Sequence, residues 1–336
     1  MIIKKACTLR SSAIGDCLMG KYFLEQIHSR YPEAECSIIV ASRAEMIRDL
    51  LAAYPWLTVH EASRRNLRGL LKTIRAVWGS DATVTQYSGR GQFSTLSKLF
   101  ACLITRRGRL AGFSDPWRWN KYLYDHLVPL NLKEAFLTHE QKALKALGVT
   151  VSSTKLTLQY VPDTAVYDRF NLPRGSYIFL HFFAGTAGRG FTREKRIEYV
   201  RKMVAAFGDA YTIVLTGSSA DRPLAIEAAE GFPVRVIAGE TTVQELANLI
   251  VGSAAVVSVD TGVAHMAAQL GASLVVVRTC IAYNWWVQEQ YNGSLTVISR
   301  DDICTNGHKA DMASNCLNSI AVKDVIEAVS SRIKHS

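Results

Sequence analysis

Val256-Val257-Ser258-Val259-Asp260-Thr261-Gly262-Val263-Ala264-His265-Met266-Ala267-Ala268-Gln269-Leu270-Gly271-Ala272 is the stretch that decides the architecture. A valine-rich run enters Asp-Thr-Gly, and an apolar pattern at helical spacing begins at once. The run is a buried strand, Ala255–Val259, and Ala264–Leu270 is a helix. Thr261, Gly262 and Val263 then present their N–H groups at a helix N-terminus, which carries roughly half a positive charge and receives phosphate. Gly262 lets an anion approach the backbone closely. His265 falls on the first turn, within reach of the same anion. Taken alone, the residues also fit an Asp N-cap followed by a histidine packed on a helix face.

Outward from this stretch the same alternation repeats. Upstream, strands at Tyr177–Phe182, Tyr211–Leu215 and Val234–Ile237 alternate with helices at Arg193–Phe207, Arg222–Glu230 and Val243–Val251. Ser273–Val277 is a further strand. Val322–Ile333 is a closing amphipathic helix that can pack back on the N-terminal domain. The first half has strands at Ile3–Leu9, Cys36–Ala41 and Ala82–Gln86, and helices at Gly15–Tyr31, Ala44–Ala53, Leu67–Val77 and Phe93–Ile104. Strands alternating with helices build parallel sheets from βαβ units. The pattern lapses near 150–175, where Val161-Pro162-Asp163 and Leu172-Pro173-Arg174-Gly175 mark a linker. The expected architecture is α/β, with two Rossmann-like domains, 1–160 and 161–336, facing a central cleft.

The composition agrees. A chain of 336 residues is long enough for two domains, and 49% hydrophobic with 20% charged residues suits a globular protein rather than a disordered one. Seven scattered cysteines without a Cys-x-x-Cys pair fit a reducing compartment. The first residues lack the apolar core of a signal peptide. The most apolar region, Leu246–Val277, carries Asp260 and His265 and is interrupted by glycines, so it is not a membrane span. The net charge of +10 is one-sided: residues 1–160 hold 23 Lys and Arg against 12 Asp and Glu. Such an excess fits an anionic membrane surface, a phosphorylated glycolipid, a nucleic acid, or a merely solvated basic face.

Asp260-Thr261-Gly262-Val263-Ala264-His265 resembles the Asp-Thr-Gly-x-x-His signature of family 9 glycosyltransferases, the heptosyltransferase group. Other segments fall in the same order along nearly the whole chain. Arg10–Asp16 looks like the family's first strand-loop, where a Gly-Asp pair opens the first helix, and His181–Arg189 like its next phosphate-facing loop. Thr216–Arg222 resembles its Gly-Ser…Asp-Arg loop, Ala238–Leu246 its Gly-x-Thr turn, and Cys316–Val322 its C-terminal stretch. The resemblance implies the glycosyltransferase-B fold, with the acceptor on the first domain and the nucleotide-sugar on the second. It implies inverting transfer, with neither metal nor cofactor, of a sugar such as heptose from ADP-heptose to a lipopolysaccharide core or related glycolipid. It also implies a bacterial enzyme in the cytoplasm, at the cytoplasmic face of the inner membrane. No Asp-x-Asp pair stands on a loop to hold a diphosphate-bridging cation.

By the same resemblance Asp16 is the general base, since inversion needs one carboxylate to take the acceptor's hydroxyl proton. A first-turn acid that merely stabilises its helix is the simpler alternative. The leaving diphosphate needs cations and N–H donors, and the candidates are Thr186, Arg189, Asp260, Thr261, Gly262 and His265. Asp221 matches the acidic position that contacts sugar or ribose hydroxyls, or else only caps the helix at Arg222-Pro223. Two departures stand out: the family's Lys-x-Trp-Pro is Arg189-Gly190-Phe191-Thr192 here, and the proline that often follows Gly-Asp by six residues is Tyr22.

Arg64, Arg65, Arg68, Lys72 and Arg75 recur along one leucine-rich segment, and Arg106, Arg107 and Arg109 form a second cluster. Such basic helices face an anionic membrane or an acceptor's phosphates; no nucleic-acid motif accompanies them, so a nucleic acid is not expected. Trp117 and Trp119 can stack on acceptor sugars or simply pack. Gly185–Gly190 lacks GxGxxG spacing, and no acidic residue follows the next strand at Leu215-Thr216-Gly217, which argues against a dehydrogenase. Cys304, His308 and Cys316 have irregular spacing for a metal. Two alternatives remain at this point: a hexosyltransferase with a UDP- or GDP-sugar donor, and a non-catalytic nucleotide-binding or assembly partner on the same fold.

Overall fold

The computed structural model describes residues 2–63, 65–86, 94–131, 133–185, 190–303 and 313–333, with side chains left out at 281–283 and 313–315. The chain divides into two compact units, Met1–Leu156 and Thr157–Ser336.

The first unit runs β1 (Lys5–Leu9), α1 (Ile14–Arg30), β2 (Glu35–Val40), α2 (Ala44–Leu50), β3 (Leu57–Glu61) and α3 (Leu67–Val77). It continues with β4 (Ala82–Val84), α4 (Thr95–Ile104), β5 (Leu110–Phe113), α5 (Asn120–Leu123), β6 (His126–Val128) and α6 (Phe136–Ala146). Its strands lie in the order β3-β2-β1-β4-β5-β6, every pair parallel. Parallel neighbours need long crossovers, so the helices between them cover the sheet. The interior strand β1 is buried from Ala6 through Leu9 without alternation, as a strand covered on both faces must be.

The second unit repeats the plan. It comprises α7 (Ala165–Arg169), β7 (Tyr177–His181), α8 (Arg193–Phe207), β8 (Thr212–Thr216), α9 (Arg222–Ala229), β9 (Val234–Val236) and α10 (Val243–Gly252). Then follow β10 (Ala255–Val259), α11 (Gly262–Leu270), β11 (Leu274–Val277), β12 (Leu295–Ile298), α12 (Ala313–Asn318) and α13 (Val322–Ile333). The order β12-β11-β10-β7-β8-β9 is again wholly parallel. Val322, Val325 and Val329 of the closing helix α13 belong to this unit's core, with Val257, Val275 and Tyr199.

In both sheets the winding reverses beside the first strand, between β1 and β4 and between β7 and β10. Loops diverge there at the carboxyl ends of the strands, and the resulting crevice is where open α/β sheets hold ligands. This is the two-Rossmann glycosyltransferase-B fold, α/β as the sequence implied. Among the described residues no helix is long and apolar enough to cross a membrane.

Candidate functional site

In the first unit the reversal brings Asp16 and its supports together. Ala13 precedes α1 in extended conformation without a side-chain cap, and Asp16 stands on the first turn. Ser11 organises this turn. Its hydroxyl donates to Asp16 Oδ2 and accepts the Ala13 N–H at 3.2 Å, while its own N–H donates to the Gln86 side chain. Since Gln86 follows β4, that last bond ties the two diverging loops to each other.

Arg10, one residue earlier, turns inward. Its Nη1 and Nη2 donate to Glu140 Oε1 and Oε2 at 2.8 and 3.1 Å, and its Nε donates to Thr8 Oγ1 at 2.7 Å. Both side chains of the Arg10–Glu140 pair are fully enclosed. Burial pushes the Glu140 carboxyl upward, and the Arg10 guanidinium pulls it the other way. A Cβ at Gly20 would sit 2.7 Å from Arg10 Nε, so the glycine leaves the room the guanidinium occupies.

Ser11 also lines a cavity of about 840 Å³, with Ser42, Gln86 and Arg65 as polar groups and Leu70, Leu96 and Phe100 as an apolar wall. Asp16 is thus a carboxylate one hydrogen bond from the wall of a cavity with room for a small-molecule ligand. Of the basic residues expected near the acceptor, Arg65, Arg68, Lys72 and Arg75 are exposed, and Arg65 reaches the cavity. Arg64 lies outside the described residues. Arg109 is turned inward, with its Nε donating to the Asp81 carbonyl. Trp117 lies 4.8 Å from Lys98 Nζ, whereas Trp119 is exposed.

In the second unit α11 starts at Gly262 with Thr261 extended at its N-cap, and the Thr261 side chain does not cap the helix. The first-turn N–H groups therefore face the β7–β10 reversal without competition from that hydroxyl. Gly271 closes the helix in the left-handed region, φ 77°. Asp260 Oδ1 accepts the Trp286 Nε1–H at 3.0 Å and lies 3.8 Å from His265 Nε2. The His265 ring stacks on Trp286 at 4.4 Å and 12°, with Trp285 edge-on at 5.6 Å. The sequence-predicted Asp260, Thr261, Gly262 and His265 thus form one cluster, which the two tryptophans complete.

Asp221 occupies a capping box: its Oδ2 accepts the Ser218 N–H and hydroxyl at 2.8 and 2.6 Å. The expected cap on the helix at Arg222-Pro223 is not made: Asp221 stands at the N-cap of α9 without a side-chain bond to it, and its carboxylate instead closes back on Ser218, which fixes where it stands. The neighbouring turn packs closely: a Cβ at Gly239, φ +77°, would lie 2.6 Å from the Ser219 Cα. Arg222 spans the same two loops, from its own helix to the Ala238 carbonyl and Glu240.

Thr186 and Arg189 lie outside the described residues, as do Cys304 and His308; Cys316 is buried. The departure that follows Arg189 has a structural account. Phe191 is buried between Phe182 and Tyr199, at 5.4 and 4.5 Å, and Thr192 caps α8 by accepting the Lys195 N–H. Tyr22, the other departure, is fully buried and donates its hydroxyl to the Ser153 carbonyl, pinning the chain after α6 to α1. Burial lowers the pKa of His181, at the end of β7, to about 4.

The family model for glycosyltransferase family 9 (heptosyltransferase) matches residues 134–278. Lipooligosaccharide heptosyltransferase 2 of Haemophilus influenzae is 24% identical, over 79% of this chain and 80% of that protein. A family 9 glycosyl transferase from Veillonella parvula shares the fold with a TM-score of 0.76 at 16% identity, covering 100% of this chain and 98% of that one. The ADP-heptose lipopolysaccharide heptosyltransferase II of Escherichia coli does so with a TM-score of 0.72 at 20% identity, covering 98% and 99%. The matched segment contains the Asp-Thr-Gly-x-x-His cluster, the motifs flanking it fall in family order, and the fold extends over the whole chain, so the protein is similar to the glycosyltransferases of family 9 over residues 134–278 and shares their fold throughout.

Proposed function

We propose that this enzyme transfers heptose from ADP-heptose to a hydroxyl of a lipopolysaccharide core or related glycolipid, with inversion and without a metal. The observation that carries the reading is Asp16, held by Ser11 at the wall of the first unit's cavity. The acceptor's sugar occupies that cavity, with Arg65 and the exposed Arg68, Lys72 and Arg75 meeting its phosphates or the anionic membrane around it. Arg64 joins them by its place in the sequence. The enzyme works at the cytoplasmic face of the inner membrane.

The acceptor oxygen attacks the anomeric carbon as Asp16 takes its proton. The bond from that carbon to the diphosphate oxygen breaks, and ADP leaves with the electron pair. The second unit receives the developing charge: the N–H groups at Thr261 and Gly262 and the positive end of α11 meet the diphosphate. Thr186 and Arg189, assigned by their place in the sequence, supply a hydroxyl and a guanidinium to it. Asp260 acts through the hydrogen bond it accepts from Trp286, whose ring stacks on His265 and holds the imidazole beside the helix start. Asp221, already fixed by Ser218, offers its carboxylate to sugar or ribose hydroxyls.

Thermal shifts of the full chain with ADP, UDP, GDP and NAD at equal concentration test the donor. A ligand at 100 times its Kd adds about 2.7 kcal/mol to the stability of what it binds. Selective stabilisation by ADP is expected. A preference for UDP or GDP moves the enzyme to a hexose donor, NAD alone overturns the transferase reading, and no shift favours a non-catalytic partner.

A further inference from the structure

Helix α4 is inside-out. Its one charged residue, Lys98, is fully buried and donates to Asp115 and Asn120 at 2.6 and 2.7 Å, while Ala101 and Ile104 face the core. Its outward stripe, Leu96, Leu99 and Leu103, is about half exposed, at 49, 47 and 52%. A helix that buries its one charge and turns a row of leucines outward belongs against something other than water. Both neighbouring helices carry apolar groups outward as well. On α3, Leu67 and Leu71 are 68 and 59% exposed, and at the start of α5 Trp119, its N-cap residue, pairs with Tyr122 at 5.6 Å, with Arg118 and Lys121 over their rings. These helices are joined: Arg106, just after α4, donates its N–H to Ser80, just after α3, and Lys98 ties α4 to Asn120 of α5.

The charge around them is of one sign. Residues 62–124 hold twelve Lys and Arg and two Asp, a net +10 equal to that of the entire chain. Both acids are occupied: Asp81 accepts the N–H groups of Lys4 and Lys5 and pairs with Arg106, and Asp115 pairs with Lys98. Exposed leucines set among cations, with aromatics at the edge, match an anionic bilayer, whose phosphates take the cations and whose acyl chains take the leucines. A second copy of this face would repel the first, and a nucleic acid has no use for a leucine stripe.

We propose that α3, α4 and α5 form a docking face for an anionic lipid bilayer, with Leu99 and Leu103 entering the acyl region. Leu96 and Leu70 continue from this face into the cavity wall. Resting on the proposed glycolipid acceptor, the geometry further lets a lipid-anchored saccharide reach Ser11 while its chains stay in the membrane.

The test is sedimentation of the full chain with vesicles of phosphatidylcholine alone and of phosphatidylcholine with phosphatidylglycerol, for wild type and for Leu99→Glu/Leu103→Glu. Wild type is expected to bind the anionic vesicles at least tenfold more tightly than the neutral ones, less so at high salt. The variant is expected to lose at least tenfold in vesicle affinity while keeping its melting temperature and its affinity for ADP. Equal vesicle binding by wild type and variant overturns the proposal, as does wild type that stays in solution. Self-association in solution that the double substitution abolishes assigns the face to a second copy instead. Preference for duplex DNA over anionic vesicles at matched salt assigns it to nucleic acid. Vesicle binding is read without turnover, so failure of the donor assignment and failure of the docking face are separate results.

Discussion

Glu140→Gln changes one atom and leaves Arg10 charged in a site where the two side chains are 1 and 0% exposed. The guanidinium keeps its Nε bond to Thr8 but loses the carboxylate that met both Nη groups. Removing one partner of a buried ion pair costs about 3–5 kcal/mol, because the remaining charge stays desolvated. For a unit of this size that lowers the melting temperature by on the order of 10 °C. Scanning calorimetry of the full chain, with ligand absent, reads it directly. Arg10→Met/Glu140→Leu removes both charges together and should recover most of the loss, since an apolar pair has no such desolvation cost. Arg10 also precedes the Ser11 turn, so turnover in Glu140→Gln should fall further than the stability loss alone accounts for at a temperature where the variant is folded. A single variant that loses less than about 1 kcal/mol, or a double variant worse than either single one, refutes the reasoning.

Ser11→Ala removes a hydrogen bond donated to the charged form of Asp16, so the acid limb of kcat/KM should move to higher pH, by up to about one unit, with turnover retained at alkaline pH. An unmoved limb separates Ser11 from Asp16's protonation. His181 stays neutral in the folded protein down to about pH 4. The unfolded chain takes up its proton near the ordinary value of about 6.5, so stability falls as pH drops from about 6.5 to about 4, by up to about 3 kcal/mol. Urea titrations across that range should show the slope, and His181→Gln should flatten it. Gly239→Ala places a methyl against the Ser219 backbone at positive φ, which should cost about 1–3 kcal/mol and weaken ADP binding in calorimetric titration.

The interior strands β7, β10 and β11 were legible because strands covered on both faces must be continuously apolar, and their Val- and Leu-rich runs leave no other reading. The short strands β5 and β6 and the edge strands β3 and β12 were missed. Three to five residues such as His126-Leu127-Val128 carry too little pattern, and Leu57–Glu61 alternates with polar residues as an edge permits. Helix α6 was missed also, and with it Glu140. In the site, Asp16 and the Asp260–His265 segment stood out because motif and turn chemistry coincide there. Ser11, the Arg10–Glu140 pair and Trp286 did not, since their partners lie 5, 130 and 26 residues away in sequence and only the sheet reversals bring the more distant ones together. Trp285-Trp286 after a strand is a signal that an aromatic count can flag, yet nothing local names Asp260 as its acceptor.

The most direct test of the account is ADP release by purified wild type and Asp16→Asn, incubated with ADP-heptose and a heptose-deficient core glycolipid, with the product's anomeric configuration read by NMR. The account predicts acceptor-dependent ADP release with inverted configuration in wild type. It predicts loss of at least a thousandfold in turnover for Asp16→Asn, with ADP affinity unchanged. Turnover near the wild-type rate in Asp16→Asn, or a product of retained configuration, would contradict it.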